Sequence, residues 1–277
     1  MKFIRQFLFI FITGTLIASC NTSDQITTPI SPPATTGYKS LFIGHSFFRP
    51  FANNIDDHAQ SAGFTDHSQN VFIAGGENGA PEAFWNDSTK REQIQAILDE
   101  GNIELFGMTY HGTYPTITGY KNWVDYALID NPDIQFFIAV PWMKNPGSYE
   151  TSEMEGLWED IHINTLHVMI DTLRTNYPNN IFYCIPYGHA AIELKGLHES
   201  GDLPDINNLI SDFETSLFID LGGHPGKILV ELGVLIWLEA IYGVDLNSYE
   251  YNSDFTTDLR TIASEIMAAH DPVYNAF

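Results

Sequence analysis

Short apolar runs alternate along this chain with stretches whose apolar residues recur every three or four positions. Residues 39–43, 70–74, 103–110, 135–140 and 181–186 read as strands. The 135–140 run is almost wholly apolar, as expected of a strand covered on both faces. Helical spacing marks 53–62, where Ile55, Ala59 and Ala62 share a face and Gly63 ends the pattern. It recurs at 91–98, at 120–129 with Trp123, Ala127 and Leu128 inward, and at 155–176 through Ile161, Leu166, Met169, Ile170 and Leu173. Residues 190–197, 205–213 and 228–242 complete the predicted helices, and 82–85 is a short apolar segment. Strand and helix alternate throughout. That order specifies an α/β protein, a parallel sheet with helices on both faces and right-handed crossovers, in one domain without repeats. The 228–242 run is interrupted by Glu231 and Glu239 and ended by Gly243, short of the roughly 20 apolar residues of a membrane span. It reads as a buried helix.

The first residues follow another logic. Lys2 and Arg5 precede an apolar stretch, 7–17, too short to span a bilayer. Leu16-Ile17-Ala18-Ser19-Cys20 resembles the lipobox of bacterial lipoproteins. That resemblance implies cleavage before Cys20, acylation of its thiol and new amino terminus, and attachment to a membrane. An ordinary secretory signal is the other reading. Asn21 is not the aspartate associated with inner-membrane retention, so analogy favours the outer membrane. The chain then divides into a signal segment (1–19), a Thr-, Ser- and Pro-rich tether (20–38) and one domain (39–277).

Composition narrows the partners. Twelve Lys and Arg against 35 Asp and Glu give a formal net charge of -23 with no basic patch, which excludes a nucleic-acid partner. With Cys20 lipidated, Cys184 stands alone inside an apolar run and reads as a buried, inert thiol. Stability must come from a core, which 44% hydrophobic and 13% aromatic residues can supply.

The chemistry concentrates at two places. Leu41-Phe42-Ile43 stops at Gly44, and Ser46 follows two positions later, at the rim where open parallel sheets bind ligands. Near the other end, Asp220-Leu221-Gly222-Gly223-His224-Pro225 offers a carboxylate and an imidazole. Together these are the residue types of an acyl-transfer triad: Ser46 as nucleophile, His224 as base, Asp220 to orient it. Taken singly, each is equally a turn, a cap or a surface residue; the order along an α/β chain is what joins them.

With those residues in view, the chain resembles the SGNH (GDSL-like) hydrolases. Gly44-His45-Ser46 matches the family's first block with His45 in place of aspartate. Asp220 and His224-Pro225 match the last block with one extra residue between, and Gly76 in Ala74-Gly75-Gly76 maps to the second-block glycine. The resemblance implies a three-layer α/β/α sandwich with a flavodoxin-like, five-stranded parallel sheet, no cofactor, and hydrolysis of acyl esters, often on glycans or lipids. The third block, Gly-x-Asn-Asp, is missing: Phe106-Gly107-Met108-Thr109-Tyr110-His111-Gly112 supplies no asparagine. One lost oxyanion donor costs roughly 2.7–4 kcal/mol. Either His111 replaces it, or only the N–H groups of Ser46 and Gly76 remain. His45 is not taken as the base, since neighbours on a strand point apart. The competing reading is a non-catalytic envelope lipoprotein that binds a glycan or a protein partner.

No metal is expected. The chain has 10 histidines but no His-Glu-x-x-His, and His162 and His167, five apart, fall on different faces of their predicted helix. Gly75-Gly76-Glu77-Asn78-Gly79 lacks the lysine of a phosphate loop. Phe47, Phe48, Phe84, Trp85, Tyr110, Tyr114 and Trp142 cluster near predicted strand ends, where they serve substrate contact or core packing.

Overall fold

The computed structural model describes residues 34–277. The signal segment, Cys20 and most of the tether lie outside the described residues. Residues 34–38 run against the domain: the Gly37 N–H donates to Asp66 Oδ1 at 2.7 Å, and Tyr38 stacks on Tyr242.

Five strands form the sheet: β1 (Lys39–Gly44), β2 (Ser68–Ile73), β3 (Leu105–Thr109), β4 (Gln135–Ala139) and β5 (Phe182–Ile185). Their order is β2-β1-β3-β4-β5 and every pairing is parallel, the flavodoxin-like arrangement. The helices are α1 (Arg49–Ser61), α2 (Pro81–Asn86), α3 (Ser88–Leu98), α4 (Thr118–Asp130), α5 (Thr151–Ile161), α6 (Val168–Asn176), α7 (His189–Ser200), α8 (Lys227–Tyr242) and α9 (Leu259–Ala269). Alternation along the strands builds the three layers. Phe42 and Phe137 turn toward α1 and α8, where both rings meet Trp237. Phe106 and its neighbour Phe136 turn the other way, and Phe106 meets Trp123 of α4. Gly107 lies between Phe42 and Phe137 in register, and a Cβ there would sit 2.2 Å from the Phe137 ring. As expected, α8 is buried except at Lys227, Glu231 and Glu239. No helix among the described residues is long and apolar enough to cross a membrane.

Two expectations are corrected, and one helix is added. Residues 205–213 form no helix: Asn208–Ile210 is a short strand, β6, pairing in parallel with β7 (Ser216–Phe218). Asp205 accepts the N–H groups of Thr256 and Thr257, and Asp212 those of Glu214 and Thr215, so these side chains serve loops instead of a helix. The predicted 155–176 helix is broken into α5 and α6 by a π-helical turn, His162–His167. An α-helix would set positions five apart about 140° from each other. The wider turn instead places His162 and His167 on one face, Nε2 to Nε2 at 3.3 Å. Helix α9 carries the amphipathic pattern of Leu259, Ala263, Ile266 and Met267 and was absent from the sequence reading.

Candidate active site

Ser46 sits where β1 ends, on a turn whose His45 carbonyl accepts the N–H groups of Phe48 and Arg49 as α1 begins. The turn is pinned from below. Gly79 packs so closely that a Cβ would lie 2.5 Å from the Gly44 carbonyl oxygen and 2.7 Å from His45 Cα. The opposite loop leaves β7 and is narrowed by an antiparallel bridge between Phe218 and Pro225. Gly223, at φ +95, lets the chain double back, so its N–H reaches both the carbonyl and the carboxylate of Asp220.

The two loops meet. His224 Nε2 lies 2.8 Å from Ser46 Oγ, across 178 positions of sequence. His224 Nδ1 lies 2.7 Å from Asp220 Oδ2. In the neutral ring, Nδ1–H donates to the carboxylate and Nε2 accepts the serine hydroxyl, the tautomer that proton abstraction requires. Asp220 Oδ1 accepts the backbone N–H groups of Gly223 (2.9 Å) and His224 (3.2 Å). Partial burial alone would raise this carboxyl, but the hydrogen bonds from His224 and Gly223 outweigh it and hold it below the usual range.

His45 takes no part in that line. Its Nε2–H donates to the Tyr110 carbonyl at 3.2 Å and its Nδ1 accepts the Phe47 N–H at 3.2 Å. Burial pushes its pKa down to about 4, so the ring is a neutral strut between the β1 and β3 loops. His111 stands 5.4 Å from it, ring edge to ring face. The His111 Nδ1 accepts the Thr113 N–H at 3.2 Å, which leaves the proton of the neutral ring on Nε2. Burial lowers the His111 pKa as well, and Lys144 adds to the effect. Gly76 occupies φ +55 at the mouth of a 3₁₀ turn, Gly76–Gly79.

Ser46, Gly76 and His111 line one cavity of about 300 Å³, with Phe47, Tyr110, Val140, Trp142 and Met143 making its walls predominantly apolar. Of the rim aromatics expected from sequence, Phe47, Tyr110 and Trp142 reach this cavity, whereas Phe48 and Phe84 are core. Trp142 does more than line it. Its ring stacks on Phe47 at 5.1 Å, and its Nε1–H donates to the Gly223 carbonyl at 2.9 Å, so one side chain clamps the serine loop to the histidine loop. The sequence showed Trp142 just past a strand, but nothing local revealed its hydrogen bond. The same holds for the Tyr110 carbonyl and the Phe47 N–H, which are backbone groups.

The fold and the site thus define an α/β/α sandwich with a Ser–His–Asp line at the carboxyl ends of its strands. No family model matches the chain, and no curated protein matches it. Among solved structures it is similar to a DUF4886 family protein from Bacteroides uniformis ATCC 8492, at 14% identity over 86% of this chain and 95% of that one, with a TM-score of 0.56. This likeness shows a shared fold. The periplasmic domain of a Salmonella ser. Paratyphi A lipopolysaccharide acetyltransferase overlaps less, at 11% identity over 56% of this chain and 69% of that one, with a TM-score of 0.35.

Proposed function

We propose that the protein is a serine esterase of SGNH type that cleaves acyl esters, with O-acyl groups on glycans as the substrate class. The observation that carries the reading is the unbroken Ser46–His224–Asp220 line, at 2.8 Å and 2.7 Å, facing an apolar cavity. In this mechanism Ser46 Oγ attacks the ester carbonyl while His224 Nε2 takes its proton. Asp220 stabilises the imidazolium through Nδ1. The N–H groups of Ser46 and Gly76 and the Nε2–H of His111 receive the developing oxyanion. Collapse expels the alcohol, which takes the proton from His224 and leaves an acyl-Ser46 ester. Water, deprotonated by His224, then releases the carboxylic acid and restores the hydroxyl.

The apolar walls suit an acyl group or a sugar face, and the acidic surface favours a neutral substrate. Attachment to the envelope by a lipid on Cys20 belongs to the same proposal. A binding module would have no need of an imidazole held in one tautomer between a carboxylate and a hydroxyl. The test is a fluorophosphonate probe together with p-nitrophenyl acetate. Wild type should be labelled and should hydrolyse the ester, whereas Ser46→Ala should escape labelling and, like His224→Ala, lose about 10⁶-fold in kcat. Equal rates in all three would leave the binding module as the better account.

A further inference from the structure

On the far side of α5 from the ester cavity, four of the histidines, His162, His167, His189 and His270, line a second cavity of about 250 Å³. His162 Nε2 has two ring nitrogens as neighbours. It lies 3.3 Å from His167 Nε2 and 3.3 Å from His270 Nδ1. The other nitrogen of His270, Nε2, lies 3.7 Å from Cys184 Sγ, and one ligand atom from each of His162, Cys184 and His270 falls within 4.8 Å of the others. His162, His167, His270 and Cys184 are all buried.

These separations have a chemical meaning. Zinc–nitrogen bonds of about 2.0–2.1 Å and zinc–sulfur bonds of about 2.3 Å, set tetrahedrally, put ligand atoms about 3.3–3.6 Å apart; with a single His270 nitrogen as ligand, the donors of His162, His270 and Cys184 stand within 4.8 Å of one another, so a small inward shift of the side chains completes the geometry. A neutral His162 Nε2 carries either one hydrogen or one lone pair, so it bonds fully with only one of its two ring neighbours, a conflict that a cation would relieve. The rings are also held in place from outside the cluster. Trp158 stacks on His162 at 4.5 Å, and Tyr274 stacks on His167 at 3.5 Å. His162 Nδ1 has no partner among the described residues, so its polar contacts come wholly from the Nε2 side. The π-helical turn is the second, independent observation. Such turns are rare and recur at functional sites, and this one brings His162 and His167 to a common face.

We propose that His162, His270 and Cys184, with a solvent molecule from the cavity as fourth ligand, bind one borderline-soft divalent transition metal of the zinc class. The nitrogen and sulfur donors disfavour magnesium and calcium, which take oxygen ligands. Binding forms a metal–thiolate bond and releases the Cys184 proton to solvent, with no change of oxidation state. One nitrogen of His270 ligates and the other keeps its hydrogen. Ions reach the site past Glu159, Ile163 and Asp271, which are exposed at the rim. The metal would tie β5, the π-helical turn and the end of α9, segments far apart in sequence, and so act as a structural cross-link.

The full chain, purified in detergent without a histidine tag and stripped by a chelator, is titrated with Co²⁺ and then with Zn²⁺. One equivalent of Co²⁺ should produce ligand-field absorption of tetrahedral intensity together with a thiolate charge-transfer band. Zn²⁺ should abolish both and raise the Tm. Cys184→Ser should lose the charge-transfer band but keep the ligand-field absorption, and His162→Gln and His270→Gln should weaken binding at least tenfold. If a histidine variant does not fold, the charge-transfer band of the unaltered protein and its loss in Cys184→Ser decide the matter. Absence of saturable binding by the wild type, or binding that the Cys184 and histidine changes leave untouched, would overturn the site. Ester cleavage enters none of these readouts.

Discussion

At the scale of single residues, the missing asparagine of the third SGNH block is the sharpest question, and the proposed mechanism answers it with His111. Its Nδ1 accepts the Thr113 N–H, so the proton of the neutral ring sits on Nε2, and the residue lines the cavity beside Ser46. His111→Ala should therefore lower kcat for p-nitrophenyl acetate by about 10²–10³ with KM little changed, the signature of a donor used in the transition state. An unchanged kcat would return the work to the two backbone N–H groups. Ser46, His224 and Asp220 were legible in the sequence because each is a side chain of the right type beside a glycine turn. His45 was legible only as a non-base. Its role as a strut depends on the Tyr110 carbonyl and the Phe47 N–H, which belong to every residue alike and carry no sequence signal.

At the scale of elements, the site stands on two loops joined by Trp142. The stack on Phe47 fixes the β1 loop, and the bond to the Gly223 carbonyl fixes the loop after β7. Trp142→Phe keeps a ring on Phe47 but leaves a buried carbonyl without its donor, a cost of about 1–3 kcal/mol. A fall of roughly tenfold in kcat should accompany a lower urea midpoint, and restoration of the full rate by phenylalanine would show the N–H to be idle. The five strands and most helices were visible because unbroken apolar runs and period-3.6 patterns report directly on burial. The segment 205–213 misled because an apolar–polar mixture was read as helical, whereas Asp205 and Asp212 bind loop N–H groups through their side chains. The π-helical turn was invisible because its residues keep an ordinary helical composition; only the extra residue per turn changes which of them meet.

At the scale of the whole molecule, burial of uncharged histidine makes the fold sensitive to acid. His45 has its pKa lowered from 6.5 to about 4 by burial. Above pH 6.5 the ring is neutral in both folded and unfolded chains and contributes no pH dependence. Between pH 6.5 and 4 the unfolded chain binds a proton that the folded one refuses, so stability falls as pH falls, by about 3 kcal/mol from this residue alone. Below about 4 its effect levels off. Urea unfolding from pH 7 to 4 should show this decline, and His45→Asn, which keeps an acceptor for the Phe47 N–H, should flatten the slope by about one proton. An unaltered slope would mean that His45 is charged in the native state.

The hydroxyl and its imidazole are separated by most of the domain's length, with every sheet strand after β1 synthesised between them. A ribosome therefore delivers the attacking group of the proposed mechanism early and its proton acceptor late. Until the stretch before α8 has emerged and docked, the nascent polypeptide carries a serine no more reactive than any alcohol in water. Appearance of turnover thus marks completion of folding, and any break that severs the late segment from the early one silences the chemistry without touching either group.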